Sequence, residues 1–271
     1  MSVERRRSIL IAGERGAGTS VYAVSLVHWQ QPERARTRLC LLPADGDAAR
    51  WVTERVAVHR DGVTVAPRLT TSTRRHRFRM YQLDGSADHT ARDSAVVSDV
   101  SCWDGPADAE QAEFSPELLD EVSRAHGIVL LVGAASGEQA GASRRGQVSW
   151  LRRVLGEMRD ALARAYVGGA RSLPYDETTN TLTCPVALCV SQIDCAPDAE
   201  RRDAVAWLES LIGERASMLT SFLSRHTTFK LSSTGHTPRP TDRGQFIPGM
   251  AEPRGILAPL RWVLEQAGVK S

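Results

Sequence analysis

"GERGAGTS", residues Gly13 to Ser20, follows the apolar run Ser8-Ile9-Leu10-Ile11-Ala12 and leads into "VYAVSLVHW". A short apolar strand, a glycine-rich turn and a helix-compatible stretch form the setting of a phosphate-binding loop, G-x-x-x-x-G-K-[ST]. Gly13 and Gly18 hold the two glycine positions, Gly16 adds a third, and Ser20 supplies the closing hydroxyl. Such a loop turns backbone N–H groups inward around an anion, which glycine permits by accepting positive φ and close approach. The helix that follows adds the partial positive charge of its N-terminus. Ser20 is also a candidate Mg²⁺ ligand through its hydroxyl. One position departs from the pattern, because Thr19 stands where the lysine belongs. Loss of that ammonium weakens triphosphate binding and, more severely, phosphoryl transfer, which depends on positioned positive charge. Arg15, inside the loop, is a candidate stand-in. Taken alone, the stretch reads equally as a glycine-rich turn without a ligand.

The rest of the chain bounds the choice. Its 271 residues are 42% apolar, enough for the core of one large α/β domain and too much for wholesale disorder. A formal charge of +2 gives no argument for a nucleic-acid partner. Of the 34 basic residues only Lys230 and Lys270 are lysine, so clusters of arginine reflect a compositional bias. The five cysteines form no CxxC pair, and reduced thiols in a cytoplasmic protein are the expectation. No signal peptide is expected at "MSVERRR", and no apolar run reaches a membrane-span length of roughly 18–20 residues.

Apolar runs alternate with amphipathic stretches. Strands are predicted at Arg7–Ala12, Gly62–Ala66, Phe78–Leu83, Gly127–Val132, Pro185–Ser191 and Thr227–Leu231. Helices are predicted at Thr19–Trp29, Asp45–Val58, Ser115–Ala125, Gln147–Tyr166, Asp198–Ser224 and Arg254–Gln266. The continuous apolar character of the strands fits a parallel sheet covered on both faces. A strand–helix segment, Arg38–Val58, lengthens the region between the first helix and the middle strands. No internal repeat divides the chain, and residues 1–271 are read as a single domain with long loop insertions.

Three further landmarks lie at strand ends. Phe78–Leu83 runs into Asp84, a carboxylate suited to holding Mg²⁺ beside a phosphate loop. A plain Asp-Gly turn competes with that reading. The strand "CPVALCV" ends in Ser191-Gln192-Ile193-Asp194, and "FKLSSTG" places Ser232 and Ser233 after a short strand.

In this order the chain resembles a TRAFAC-type, Ras-like P-loop GTPase domain over nearly its whole length. It is also similar to GTPase-like domains of bacterial multi-gene signalling and conflict systems. The resemblance implies a three-layer P-loop NTPase fold, a mostly parallel central sheet with helices on both faces. It implies Mg²⁺ with GTP or GDP, held by Gly13, Arg15, Gly16, Ala17, Gly18, Thr19 and Ser20 around the phosphates. Asp194 would pair with the guanine N–H donors, and Gln192 stands where a lysine packs its stem over the base. Backbone N–H groups at Ser232 and Ser233 would meet the guanine O6. Asp84 would hold the metal, joined by a switch threonine, Thr70 or Thr71, from "APRLTTSTRRHRFR". Arg74, Arg75, Arg77 and Arg79 in that stretch read as a solvated hairpin before they read as a phosphate or acidic-partner site.

The resemblance has three departures: the missing lysine, an Asp84-Gly85 sequence without the D-x-x-G glycine, and S-Q-x-D in place of N-K-x-D. Together they favour a guanine-nucleotide-binding switch protein with weak or absent hydrolysis, signalling through a protein partner. The alternative is a nucleotide-free pseudo-GTPase serving as a subunit of a complex. No catalytic triad stands out, and Asp88 and His89 are the candidates for positioning a water. His126, before a buried strand, reads as structural.

Overall fold

The computed structural model describes residues 7–13, 16–28, 39–60, 64–65, 74–82, 95–104, 116–134, 144–170, 173–193, 203, 206, 208, 221–233, 239–241, 244–246 and 253–268. Its centre is a seven-stranded sheet. The strands are β1 (Arg7–Gly13), β2 (Leu39–Pro43), β4 (Arg74–Gln82), β5 (Ala95–Asp104), β6 (Gly127–Gly133), β9 (Val186–Ser191) and β10 (His226–Lys230). They lie in the order β10-β9-β6-β1-β5-β4-β2. Outside this sheet, β3 (Thr64–Val65), β11 (Arg239–Thr241) and β12 (Gly244–Phe246) form a small antiparallel sheet. A short hairpin joins β7 (Tyr175–Asp176) to β8 (Thr181–Leu182).

The middle of the sheet is parallel because its strands are apolar on both faces. β1 pairs in parallel with β5 and β6, β6 with β9, and β9 with β10. Every residue of β6 and β9 is buried. In β1, Ile9 and Ile11 enter one core, and Leu10 and Ala12 enter the other. That alternation between two covered faces is what a three-layer arrangement requires.

Helices α1 (Thr19–His28), α2 (Gly46–Arg60) and α5 (Ala258–Gln266) supply side chains to the core that takes Ile9 and Ile11. Helices α3 (Pro116–Arg124) and α4 (Arg144–Val167) cover the other face. Trp150, Leu151, Val154, Leu155, Met158 and Leu162 form the buried stripe of α4, at the three- and four-residue spacing of one helix face. At the start of α2, Asp45 accepts the backbone N–H of Ala48 at 2.8 Å and caps the helix. Where α5 crosses β6, the absent side chain of Gly127 matters. A Cβ there would fall 2.1 Å from Val263 Cγ1. Just past α5, a Cβ at Gly268 would lie 3.8 Å from Arg7 Nη2, so the start of β1 and the end of α5 are neighbours.

Several expectations change. Strand β5 is absent from the sequence reading, although it is the direct neighbour of β1. The strand expected at Phe78–Leu83 is the longer β4, and it runs antiparallel to β5 with a register shift between Met80 and Tyr81. Of the strand expected at Gly62–Ala66, the described residues Thr64–Val65 are a strand outside the main sheet. The last helix begins at Ala258 instead of Arg254. Arg254 is bridged to Ser232, Gly255 has φ of 71°, and Pro259 sits in the first helical turn, where its missing N–H costs nothing. The segment Arg38–Val58 is realised as β2 and α2. Most of the helix expected over Asp198–Ser224 lies outside the described residues.

Three arginines of β4 face partners within the chain. Arg75 pairs with Glu121, Arg77 lies 3.5 Å from Asp45, and Arg79 lies 3.9 Å from Asp99. Glu121 Oε2 also accepts the Ser101 hydroxyl at 2.9 Å, and Arg75 lies over the Trp103 ring. On the opposite face Trp51 of α2 stacks on His76 with centroids 4.0 Å apart.

Candidate functional site

The five parallel strands all point their C-terminal ends to one edge of the sheet, the edge where α/β sheets build ligand sites. Gly13 ends β1 there, and Thr19 and Ser20 open α1. Between them Gly16 and Gly18 have φ of 84° and 82°, the left-handed region that L side chains adopt at a cost. Helical hydrogen bonding starts at once, with Tyr22 N–H donating to Gly18 O at 2.8 Å. The first-turn amides of α1 therefore face the loop, as an anion cradle requires.

Two side chains from the end of β9 hold this loop. Ser191 Oγ donates to Ala17 O and also lies 3.2 Å from Val132 O. Gln192 Nε2 donates to Gly16 O at 2.8 Å. To do so Gln192 takes φ of 56°. Gly18 packs beside it, since a Cβ there would make ordinary contact with Gln192 Nε2 at 3.4 Å, and the glycine is required by its φ. Gln192, expected beside the base, thus bonds the glycine loop through its side-chain amide.

Thr19 is buried, 3% exposed, and its Oγ1 has no hydrogen-bond partner among the described residues. The hydroxyl lies against the loop's first residue, because a Cβ at Gly13 would be 2.4 Å from it. Glycine at 13 is thus needed for the close approach of Thr19. Ser20, beside it, is partly exposed at the head of the helix.

Strand β5 brings a second aspartate position to the edge of the sheet that carries the loop. In the β1–β5 register Gly13 pairs with Asp104. Strand β4 runs the other way, and its last residue, Gln82, pairs with Ala95 at the far end of β5. Asp84 itself lies outside the described residues, but the strand it follows ends at the edge opposite the loop. β5 was missed because "SAVVSDVSCWD" is broken by Ser98, Asp99 and Ser101 and lacks an apolar run. Its signal was a strand end followed by glycine, Asp104-Gly105.

At the other end of the site, Ser232 exchanges both backbone bonds with Arg254, donating to Arg254 O at 3.1 Å and accepting from its N–H at 2.8 Å. The Ser232 N–H is therefore engaged by the backbone of Arg254. Ser233 O accepts from Ser25 Oγ of α1 at 2.8 Å. Tyr22 OH reaches Ile256 O at 2.8 Å, so α1 touches both the loop and the segment behind the serine turn. Burial pushes the Tyr22 phenol up, helped by nearby Cys189 and Cys102. Burial likewise raises the Cys184 thiol to about 12, which leaves it without a nucleophilic role.

Arg15, Thr70, Thr71, Asp88, His89 and Asp194 lie outside the described residues. Among the described residues, no group of three His, Cys, Asp or Glu side chains is placed to hold a metal. The loop nevertheless fits an anion, with two left-handed glycines leading directly into the start of a helix. His126 is structural, as expected. Its Nδ1 accepts the Ser8 N–H at 3.2 Å, and its own N–H donates to Ser8 O at 2.7 Å.

The strand order, the parallel neighbours of β1 and the glycine loop leading into α1 make this a P-loop GTPase-like fold. No protein-family model and no curated protein matches the chain. Among solved structures, it is similar to the GTPase-like domain of Ski7 from S. cerevisiae bound to GTP, with TM-score 0.48 and 9% identity over 98% of this chain. It is also similar to Sup35 complexed with GDP, with TM-score 0.33 and 11% identity over 86% of this chain. A variant of SsGBP gives TM-score 0.32 and 11% identity over 84%. The chain spans 51%, 40% and 50% of the length of those three chains. No helix among the described residues is long and apolar enough to cross a membrane.

Proposed function

We propose that residues 1–271 form a single guanine-nucleotide-binding, GTPase-like switch domain with weak or absent hydrolysis, acting in the cytoplasm through a protein partner. The observation that carries this reading is the glycine loop between β1 and α1, with its carbonyls held by Ser191 and Gln192. Gly13, Gly16, Ala17, Gly18, Thr19 and Ser20, with Arg15, would surround the phosphates of GTP or GDP. Ser20 and Asp104 would hold Mg²⁺, with Thr70 or Thr71 as the switch ligand. A bound Mg²⁺ neutralises charge on the phosphate oxygens. Asp194 and the turn at Ser233 would meet the base.

Weak hydrolysis follows from Thr19. Its short side chain is buried against Gly13, and it brings no cation to the place where charge develops in phosphoryl transfer. The test is isothermal titration with GTP, GDP and ATP in Mg²⁺. Absence of heat with all three at high micromolar concentration sinks the proposal.

A second reading is the nucleotide-free pseudo-GTPase, a subunit of a multi-protein complex such as those of bacterial conflict systems. It is favoured by Thr19, which stands buried at the position where the loop's lysine belongs. Thr19→Lys separates the two. Nucleotide binding gained by the variant and absent from the parent identifies a disabled site.

A further inference from the structure

The hydroxyl of Ser25 links the two ends of the candidate site. Ser25 is wholly buried on α1, six residues beyond Thr19 and about 9 Å along the helix axis from it. Its Oγ lies 2.8 Å from Val21 O and 2.8 Å from Ser233 O. Val21 O is already the helical acceptor for the amide four residues on, so the bond to Ser233 is the one that joins separate parts of the chain. A buried serine inside a helix is a poor choice for packing alone, since alanine has the higher helix propensity and brings no polar atom. Here the serine supplies a donor to a carbonyl of a buried turn.

That turn is clamped from two sides. Arg254 holds Ser232 through both backbone groups, and Ser25 holds the carbonyl of Ser233 from beneath. Peptide planarity makes the direction of that carbonyl the direction of the whole peptide plane that follows it. The helix that sets the plane is the same one whose first turn opens from Gly18 and Thr19. Tyr22, one turn earlier on α1, ties the same helix to Ile256 in the segment after Arg254.

We infer that Ser25 is a positioning residue for base selectivity: it sets the orientation of the Ser232–Ser233 turn and couples it to the phosphate loop through α1. This rests on the nucleotide-binding reading above. The test measures affinities of the full chain for GDP, ADP and pyrophosphate in Mg²⁺, for wild type, Ser25→Ala, Ser25→Thr and Ser25→Cys, with thermal melts alongside. Ser25→Ala is expected to lose about tenfold in GDP affinity and the same factor in its preference for GDP over ADP, while pyrophosphate binds as before. Ser25→Thr keeps the hydroxyl and stays within about threefold of wild type, and Ser25→Cys, a weaker donor, falls between. An unchanged GDP-to-ADP ratio in Ser25→Ala overturns the inference, as does an equal loss for pyrophosphate, which marks general loosening. Should Ser25→Ala not fold, full wild-type selectivity in Ser25→Cys overturns it. Wild type that binds none of the three overturns the underlying reading, a result distinct from selectivity that survives the substitution.

Discussion

Gln192 Nε2 donates to Gly16 O across 2.8 Å, so the end of β9 fixes the shape of the loop after β1. The bond is made by a residue in the left-handed region, with φ of 56°. Backbone cost and side-chain gain are thus located in one residue, and two substitutions separate them.

Gln192→Ala loses the bond and keeps the strained backbone, for an expected destabilisation of about 1–3 kcal/mol. Gln192→Gly loses the same bond but relaxes the backbone, and its stability is expected to exceed that of the alanine variant by about 1 kcal/mol. Both variants should exchange the amides of Gly16 to Thr19 faster. Denaturant midpoints and hydrogen exchange check the pair, and an alanine variant as stable as the glycine one refutes the strain.

Asp104→Asn should cut the Mg²⁺-dependent part of nucleotide affinity by about tenfold, while Asp84→Asn leaves it within about twofold. Titrations with and without Mg²⁺ measure both. The register puts Asp104 beside Gly13 and ends β4 at the opposite edge. A larger effect at Asp84 would restore the original placement and contradict the sheet order.

Gly127→Ala drives a methyl group into Val263 of α5. Overpacking of this kind costs about 1–3 kcal/mol. The expected result is a lower melting temperature with nucleotide affinity per folded molecule unchanged, because Gly127 opens β6 at the edge away from the loop. Reduced affinity in a fully folded sample would refute that separation.

The pH dependence of stability should carry a mark of His126. Burial, and then the charge of Arg7, hold its imidazole below the ordinary value of 6.5. The neutral ring accepts the Ser8 N–H, which a protonated ring does not do. The folded state therefore resists a proton that the unfolded chain accepts. The contribution to stability is complete above 6.5 and is lost as pH falls through the lower, folded value. Unfolding midpoints from pH 8 to pH 5 should fall more steeply for wild type than for His126→Gln.

The central elements were legible where physics left a continuous trace. β1, β6 and β9 are buried on both faces, and their apolar runs appear in the sequence almost to the residue. The loop was legible because positive φ at Gly16 and Gly18 needs glycine. β5 was not, because its polar residues are satisfied by tertiary partners that no local pattern reveals. Ser98 bonds Arg7 O, Ser101 bonds Glu121, and Asp99 faces Arg79. Strand direction was equally hidden. An arginine-rich strand reads the same forwards and backwards, and only pairing with β5 shows that β4 is reversed. Thr19 showed in the sequence that a lysine is missing, but the closeness of its hydroxyl to Gly13 required coordinates.

The nearness of Gly268 to Arg7 has a practical side. β1 spans seven residues, so its first residue sits about 20 Å from Gly13. Arg7 and Gly268, close to each other, both lie on the side of the sheet remote from the glycine loop. A reporter group placed on either residue therefore sits about 20 Å from the candidate site and reads the fold without touching it.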